Sequence, residues 1–328
     1  PTNTPTPLPP APTFTSTPTS IPNTSTPTPT PEPTFTPTLI PLGPLSYPQG
    51  INPLSGLPVE NPEYLQWPPL LVSISNFPIT ARPQSGLSFS PFVYETYIGE
   101  GMTRYLAVFY GGFPQSTTAA SSAGASGGNA SPLNTEIGPI RSGRLVYEQI
   151  RKQNNGFVVM VSGFDRVRST ISHYKNVFGS DEDGAGAMLS VNDLEELGQS
   201  AFDLLGYSYP AGLFFDTEIP QGGQPASKVW LPWSYRNQVW WVYDSETGNY
   251  HRLQDLADGQ TFVEITDALT GEALGFENVV FLFAEHVAES ETIYHITLTG
   301  ITNGNALIIR NGKIYPVFWT SQIDDYEL

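Results

Sequence analysis

Residues Ala81–Tyr110 read ARPQSGLSFSPFVYETYIGEGMTRYLAVFY, and the same character resumes at Ile137–Arg144 with IGPIRSGR. Phe92–Ile98 (FVYETYI) and Thr103–Tyr110 (TRYLAVFY) are rich in β-branched and aromatic residues, which predicts two strands. Gly99-Glu100-Gly101 between them predicts a hairpin turn. Alternation places Val93, Glu95 and Tyr97 on one face and Phe92, Tyr94 and Ile98 mostly on the other. Into this apolar sequence are set Arg82, Glu95, Glu100, Arg104, Arg141 and Arg144. The whole chain holds only 14 Lys and Arg, so four arginines here are a concentration.

Outward from that stretch, Leu70–Asn76 (LLVSISN) reads as a short buried strand stopped by Pro78. Ser142–Asn155 has helical spacing, with Ser142 as N-cap and Gly156 as terminator. Phe157–Val161 (FVVMV) has the unbroken apolar run of a strand covered on both sides. Asp165–Tyr174 repeats at helical spacing, and Asn192–Leu205 is the clearest helix, with Asn192 and Glu195 spaced as a capping box. Strands alternating with helices predict an α/β layer over residues 47–210, with Tyr47–Pro69 as an ordered surface loop. From Lys228 the period changes to that of strands, and Asn311-Gly312 between ALII and IYPVFW predicts a type I′ hairpin. The expected fold is α+β: the N-terminal α/β subdomain, then a mainly antiparallel β subdomain over 211–328.

Residues 1–44 hold 15 Pro and 14 Thr, no Lys or Arg, and Glu32 as the one acid. Repeated Thr-Pro favours extended polyproline-like backbone without a core, so residues 1–46 are expected to form a disordered, semi-stiff tether. Gln115–Pro132 is Gly/Ser/Ala-rich and is expected to be a mobile surface loop. With no Cys, disulfides and thiol chemistry are excluded, and no run of 18 apolar residues is present to span a bilayer.

The net charge of −17 is unevenly spread. Residues 1–81 carry −3, residues 82–175 carry +4, and residues 176–328 carry −18. The positive third can attract an anion while the rest keeps the chain soluble and repels nucleic acid. Arg141-Ser142-Gly143-Arg144 at a helix start would present free N–H groups and guanidinium forks to an anion. The other reading is that Ser142 caps the helix while the arginines pair with Glu95, Glu100 or Glu148. Glu95 and Glu100 also invite an acid–base pair of the glycosidase kind, although their spacing sends them to opposite strand faces unless the turn intervenes. His173, His251, His286 and His295 have no metal-ligand spacing, so no metal and no cofactor are expected. Trp230, Trp233, Trp240 and Trp241 read either as a carbohydrate-stacking platform or as core.

The motifs Asn52-Pro53-Leu54-x-Gly56, Ala81-Arg82-Pro83-Gln84-Ser85-Gly86-Leu87, Val93-Tyr94-Glu95, Glu100-Gly101-Met102-Thr103-Arg104 and Ile137-Gly138-Pro139-Ile140-Arg141-Ser142 resemble the YerB-like bacterial lipoproteins, a family whose domain carries an unknown-function label. The likeness runs over roughly 51–320, more loosely through Asn278-Val279-Val280 and Asn311-Gly312-Lys313. It implies an α+β fold in two subdomains and an extracytoplasmic, lipid-anchored location, with the lipid on a Cys just upstream of Pro1. It implies no settled activity. The chain departs from the family at Ser75, where an acid is usual, at Ser90-Pro91-Phe92, and at Gly184–Met188, where a Pro-His-Asn segment is expected. The resulting expectation is a tethered cell-envelope module, not an enzyme, that binds an anionic envelope component or partner protein. Arg82, Glu95, Glu100, Arg104, Arg141, Ser142 and Arg144 are its candidate residues. The rival expectation is a hydrolase or transferase on a cell-wall or glycan polymer using Glu95 or Glu100; a third is a structural scaffold in which those charges form a buried ion-pair network.

Overall fold

The computed structural model describes residues 41–44, 46–114, 135–177, 186–207, 210, 212–216, 218–291 and 293–322. The expected tether lies mostly, and the loop at 115–132 wholly, outside these residues.

The N-terminal half contributes β1 (Leu70–Ser75), the hairpin β2 (Phe92–Gly99) and β3 (Met102–Phe109), then β4 (Glu136–Ile140). There follow α1 (Val146–Gln153), β5 (Phe157–Met160), α2 (Asp165–Thr170), β6 (Tyr174–Asn176), β7 (Ala187–Ser190) and α3 (Val191–Leu205). These seven strands form one sheet, ordered β2-β3-β1-β4-β7, with β5 on β1 and β6 on β5. Every residue of β1 is buried. It runs antiparallel to β3 and parallel to β5, which pairs with Leu70, Leu71 and Val72. Past that point its neighbour is β4, through Ile74 and Ile140. The sheet therefore forks at Ser73, where β5 and β4 part.

The second half is antiparallel, as its alternation implies. It holds β8 (Gln224–Pro225), β9 (Lys228–Ser234), β10 (Asn237–Tyr243), β11 (Tyr250–Asp255), β12 (Phe262–Glu264) and β13 (Gly275–Phe276). After these come β14 (Asn278–Leu282), β15 (Glu285–Ala288), β16 (Tyr294–Thr297), β17 (Gly304–Arg310) and β18 (Lys313–Trp319). Two sheets, β12-β11-β10-β9 and β14-β17-β18-β8, share a core of Val239, Trp241, Tyr250 and Ile309. At the β17–β18 turn Asn311 and Gly312 have φ of 51° and 69°, and Arg310 pairs with Lys313, the two-residue hairpin that Asn-Gly predicts.

Residues Ile40–Leu328 form one compact unit. Both faces of the first sheet explain this. Leu70, Val72, Ile74 and Phe109 pack against Leu194 and Ala201 of α3 and against Ile265, Leu269 and Leu274 from the second half. On the other face Leu71, Leu106 and Val108 pack against Val146, Tyr147 and Ile150 of α1 and against Ile296 of β16.

Three local expectations are corrected. Ser142 does not cap a helix: α1 begins at Val146, and Leu145 at its N-cap makes no side-chain cap. The reason is the fork, because Arg141 N–H bonds Ser73 O at 2.8 Å and Gly143 N–H bonds Ser162 O at 3.1 Å, so this backbone is still tied to the sheet. Helix α3 starts at Val191 with Ser190 as its cap, accepting from Asp193 N–H at 3.0 Å, since β7 delivers Ser190 to that spot and leaves Asn192 inside the helix. Helix α2 stops at Thr170; Tyr174 belongs to β6 because pairing with β5 draws it out of the spiral.

A buried polar network ties the halves together. The Thr103 hydroxyl donates to Glu95 Oε1 at 2.6 Å and accepts from Asn76 Nδ2 at 2.9 Å and Asn237 Nδ2 at 3.2 Å. Arg252 on β11 clasps Glu95 with Nη1 at 2.8 Å and Nη2 at 2.9 Å. Its guanidinium lies between the rings of Tyr105 and Trp241, at 5.5 and 5.3 Å. Burial penalises the Arg252 charge, but Glu95 and Tyr105 together more than offset that, and the pKa stands above its ordinary value. Arg82 Nη1 donates to Asp255 O at 2.7 Å, and Ala268 N–H donates to Gln84 O at 2.7 Å. Asp267 accepts from Gly86 N–H at 2.7 Å and from Ser88 N–H at 2.8 Å. Gly86 has φ of 96°, and a Cβ there would meet Ile137 Cγ2 at 2.7 Å, so glycine is required.

The Glu95 and Arg252 side chains are 13% and 4% exposed. Arg252→Met alone is expected to cost about 3–5 kcal/mol in urea unfolding, because it strands a buried carboxylate. Glu95→Gln combined with Arg252→Met should cost clearly less than the sum of the two single changes; strict additivity would show that the two groups are not coupled.

Candidate functional site

Along β3 the side chains alternate, so Thr103 and Tyr105 face one core while Arg104, Leu106 and Val108 face α1. Arg104 sits opposite Ser75, at the carboxyl end of β1. The Arg141–Arg144 segment crosses the fork beside it, and Val161, just past the carboxyl end of β5, donates its N–H to Arg141 O at 3.0 Å. Three guanidiniums thus meet over the carboxyl ends of two parallel strands, where open α/β sheets commonly hold ligands.

Carbonyl oxygens orient them. Arg104 Nη1 donates to Ser142 O at 2.9 Å, and Arg144 Nη1 donates to Gly143 O at 2.8 Å and Ser142 O at 3.3 Å. The Ser73 hydroxyl donates to the same Ser142 carbonyl at 3.2 Å, and Tyr147 Oη lies 3.3 Å from Ser73 Oγ. Among the described residues neither Arg104 nor Arg144 pairs with a carboxylate, and the Nε of each is buried without a partner. Arg104 is 6% exposed. Burial, with Arg144 and Arg141 adding like charge, pulls its pKa down to about 9. Burial also lowers that of Arg144, with Tyr147 opposing and Arg141 adding to the fall.

An anion entering here would give Arg104 and Arg144 the countercharge that no described carboxylate supplies, and would accept from forked donors already fixed in place. Ser142 contributes its carbonyl as the hub of the cluster, not a helix cap.

The other candidates lie elsewhere. Arg82 is spent on Asn76 O, Asn76 Oδ1 and Asp255 O, with its guanidinium 4.6 Å from the Phe77 ring centroid. Both Glu95 oxygens are held by Arg252 and Thr103. Glu100 stands exposed at the β2–β3 turn with φ of 52°. The two carboxylates are therefore not assembled into an acid–base pair. Among the described residues no group of three or more His, Asp or Glu is placed to hold a metal ion, and no helix is long and apolar enough to cross a membrane.

Sequence reasoning missed Tyr147, Ser73 and Arg252. The alternation of Tyr250, Arg252 and Gln254 on one strand face was the available signal for Arg252, since it sets polar residues at inward positions.

The chain is 24% identical to YerB of Bacillus subtilis strain 168 over 291 residues, which is 81% of this chain and 77% of that protein. The crystal structure of YerB from Bacillus subtilis superposes with a TM-score of 0.64 at 21% identity, covering 82% of this chain and 87% of that one, and so shares the fold. Residues 54–193 match the N-terminal domain, and residues 229–327 the C-terminal domain, of the proteins of unknown function designated DUF3048. The chain belongs to the DUF3048 family.

Proposed function

We infer that this protein is an extracytoplasmic module that binds an anionic group of a cell-envelope component or envelope protein through Arg104, Arg141 and Arg144. The observation that carries the reading is Arg104, a cation 6% exposed, set beside two further arginines and held by carbonyl oxygen with no carboxylate partner among the described residues. An arrangement serving stability alone would neutralise such a charge, as Glu95 neutralises Arg252. The envelope setting is supported by YerB, whose name gives it as a candidate lipoprotein, and by the Thr/Pro-rich residues 1–44, which suit a tether between a lipid-modified residue upstream of Pro1 and the folded unit. Catalysis by Glu95 and Glu100 is not favoured, since one carboxylate is locked and the other stands at an exposed turn.

Thermal denaturation of the full chain with pyrophosphate or glycerol phosphate tests the site. At about 100 times Kd the anion should stabilise by about 2.7 kcal/mol, and the shift should shrink as salt is raised. Arg141→Ala with Arg144→Ala should lose the shift while keeping the parent's circular dichroism; an undiminished shift in that variant would sink the proposal.

Arg104→Met separates binding from structure. With its folded pKa lowered to about 9 from the ordinary arginine value, Arg104 costs stability in full below about pH 9, and that stability returns progressively as pH climbs from about 9 toward the ordinary value. The Met variant should therefore melt at pH 7 no earlier than the parent, by roughly 0–3 kcal/mol in its favour, and respond to no anion. A clear fall in its melting temperature would make Arg104 a structural staple.

A further inference from the structure

The sheet β12-β11-β10-β9 turns Trp241 inward to the core, while Trp230 and Trp240 face outward. Trp230 is 50% exposed. The two rings are direct cross-strand partners, 6.1 Å between centroids and 29° from parallel, and Phe262 meets Trp240 edge-on at 6.4 Å. Lys228 Nζ lies 4.2 Å from the Trp240 centroid and steadies that ring. The indole N–H of Trp230 is already satisfied by Gln238 Oε1 at 3.1 Å, and the Gln238 amide is anchored in turn by donating to Tyr235 O at 3.1 Å. The ring is thus fixed in orientation and presents carbon surface with no polar demand of its own.

We propose that Trp230 and Trp240 form a stacking site for a neutral oligosaccharide. A pyranose ring has an apolar C–H face and a polar rim, and this surface matches both. Trp230, Trp240 and Leu253 supply the apolar row, while Lys228, Gln238, His251 and Glu264 project from the same sheet face as hydrogen-bonding rim groups. Lys228 stands against Glu264, which lies 3.1 Å from His251 Nδ1, and Asp244, 3.9 Å from His251 Nε2, tips the rim toward negative charge. Residues 176–328, which carry this sheet, hold −18, so an anionic polymer is disfavoured here as it is not at the arginine cluster. A protein partner would need about 800 Å² of its own surface buried, far beyond one exposed indole and its half-buried neighbours. The site is independent of the anion site.

Tryptophan fluorescence titration and affinity electrophoresis of the full chain with chitohexaose, cellohexaose and maltohexaose test this. At least one should bind, and Trp230→Ala should weaken that binding by about tenfold or more with the melting temperature unchanged, as expected for an exposed ring. Trp230→Phe should retain part of the affinity, and Arg141→Ala with Arg144→Ala all of it. Equal binding by parent and Trp230→Ala, or no response to any of the three sugars, would overturn the proposal. So would a response to a decaproline peptide alone, which would make the surface a reader of extended peptide.

Discussion

The Thr103 hydroxyl has one proton to give and two lone pairs to offer, and the fold uses all three. Its donor goes to Glu95, which orients the carboxylate for Arg252 arriving from the other half of the chain. Its two acceptor sites fix the amides of Asn76 and Asn237, and the oxygens of those amides then receive Arg82 and Gln254. A network with so few spare valences tolerates one relative placement of β3 and β11. Apolar surfaces alone would bury as much area but would slide; here a displacement of one residue would strand a carboxylate, a guanidinium and two amides out of water together. The motif around Arg82 works the same way through Gln84 and Gly86, so most of the distinctive residues of the first half are junction residues.

Arg104 is the next residue along β3 and points to the opposite face. There the same strand carries a buried charge that the described residues do not neutralise with a carboxylate. The contrast has energetic weight. An uncompensated buried cation costs several kcal/mol, against a total stability of about 5–15 kcal/mol for an ordinary domain. The interlocked junction supplies the rigidity that lets the fold carry this cost, and the fork at Ser73 gives the cluster its place. Because β5 leaves β1 after Val72 and β4 takes over near Ile74, the chain must bridge the gap, and Arg141–Arg144 is the bridge.

Much of the first sheet was legible because its strands are either unbroken apolar runs, like LLVSIS, or alternating ones, and the Asn-Gly hairpin is a purely local signal. The arginines were legible as a concentration, but not as two groups. Side-chain alternation sorts Arg104 from Thr103 and Glu95, while Arg82 falls to the junction through its contact with Asp255, 173 residues away in sequence. No local pattern carries that distance. The helix expected from Ser142 failed for a related reason: capping chemistry is local, whereas the four residues that delay α1 are held by β1 and by the segment just past β5. Arg252 was passed over because its motif consists of inward-facing polar residues, which read as surface until the opposite sheet is known.

The charge distribution links the two proposed sites. A cationic cluster set in a chain of net charge −17 does not attract long uniform polyanions, because beyond the cluster each further phosphate or carboxylate meets repulsion. It favours a ligand whose negative charge is confined to one group while the remainder is neutral. A neutral saccharide surface on the acidic half is the natural complement to that selection. Screening by salt should then act unevenly, weakening the contact at Arg104, Arg141 and Arg144 while leaving stacking on Trp230 nearly untouched. A glycan bearing one anionic substituent satisfies both sets of constraints, whereas a nucleic acid or a polyphosphate chain satisfies neither.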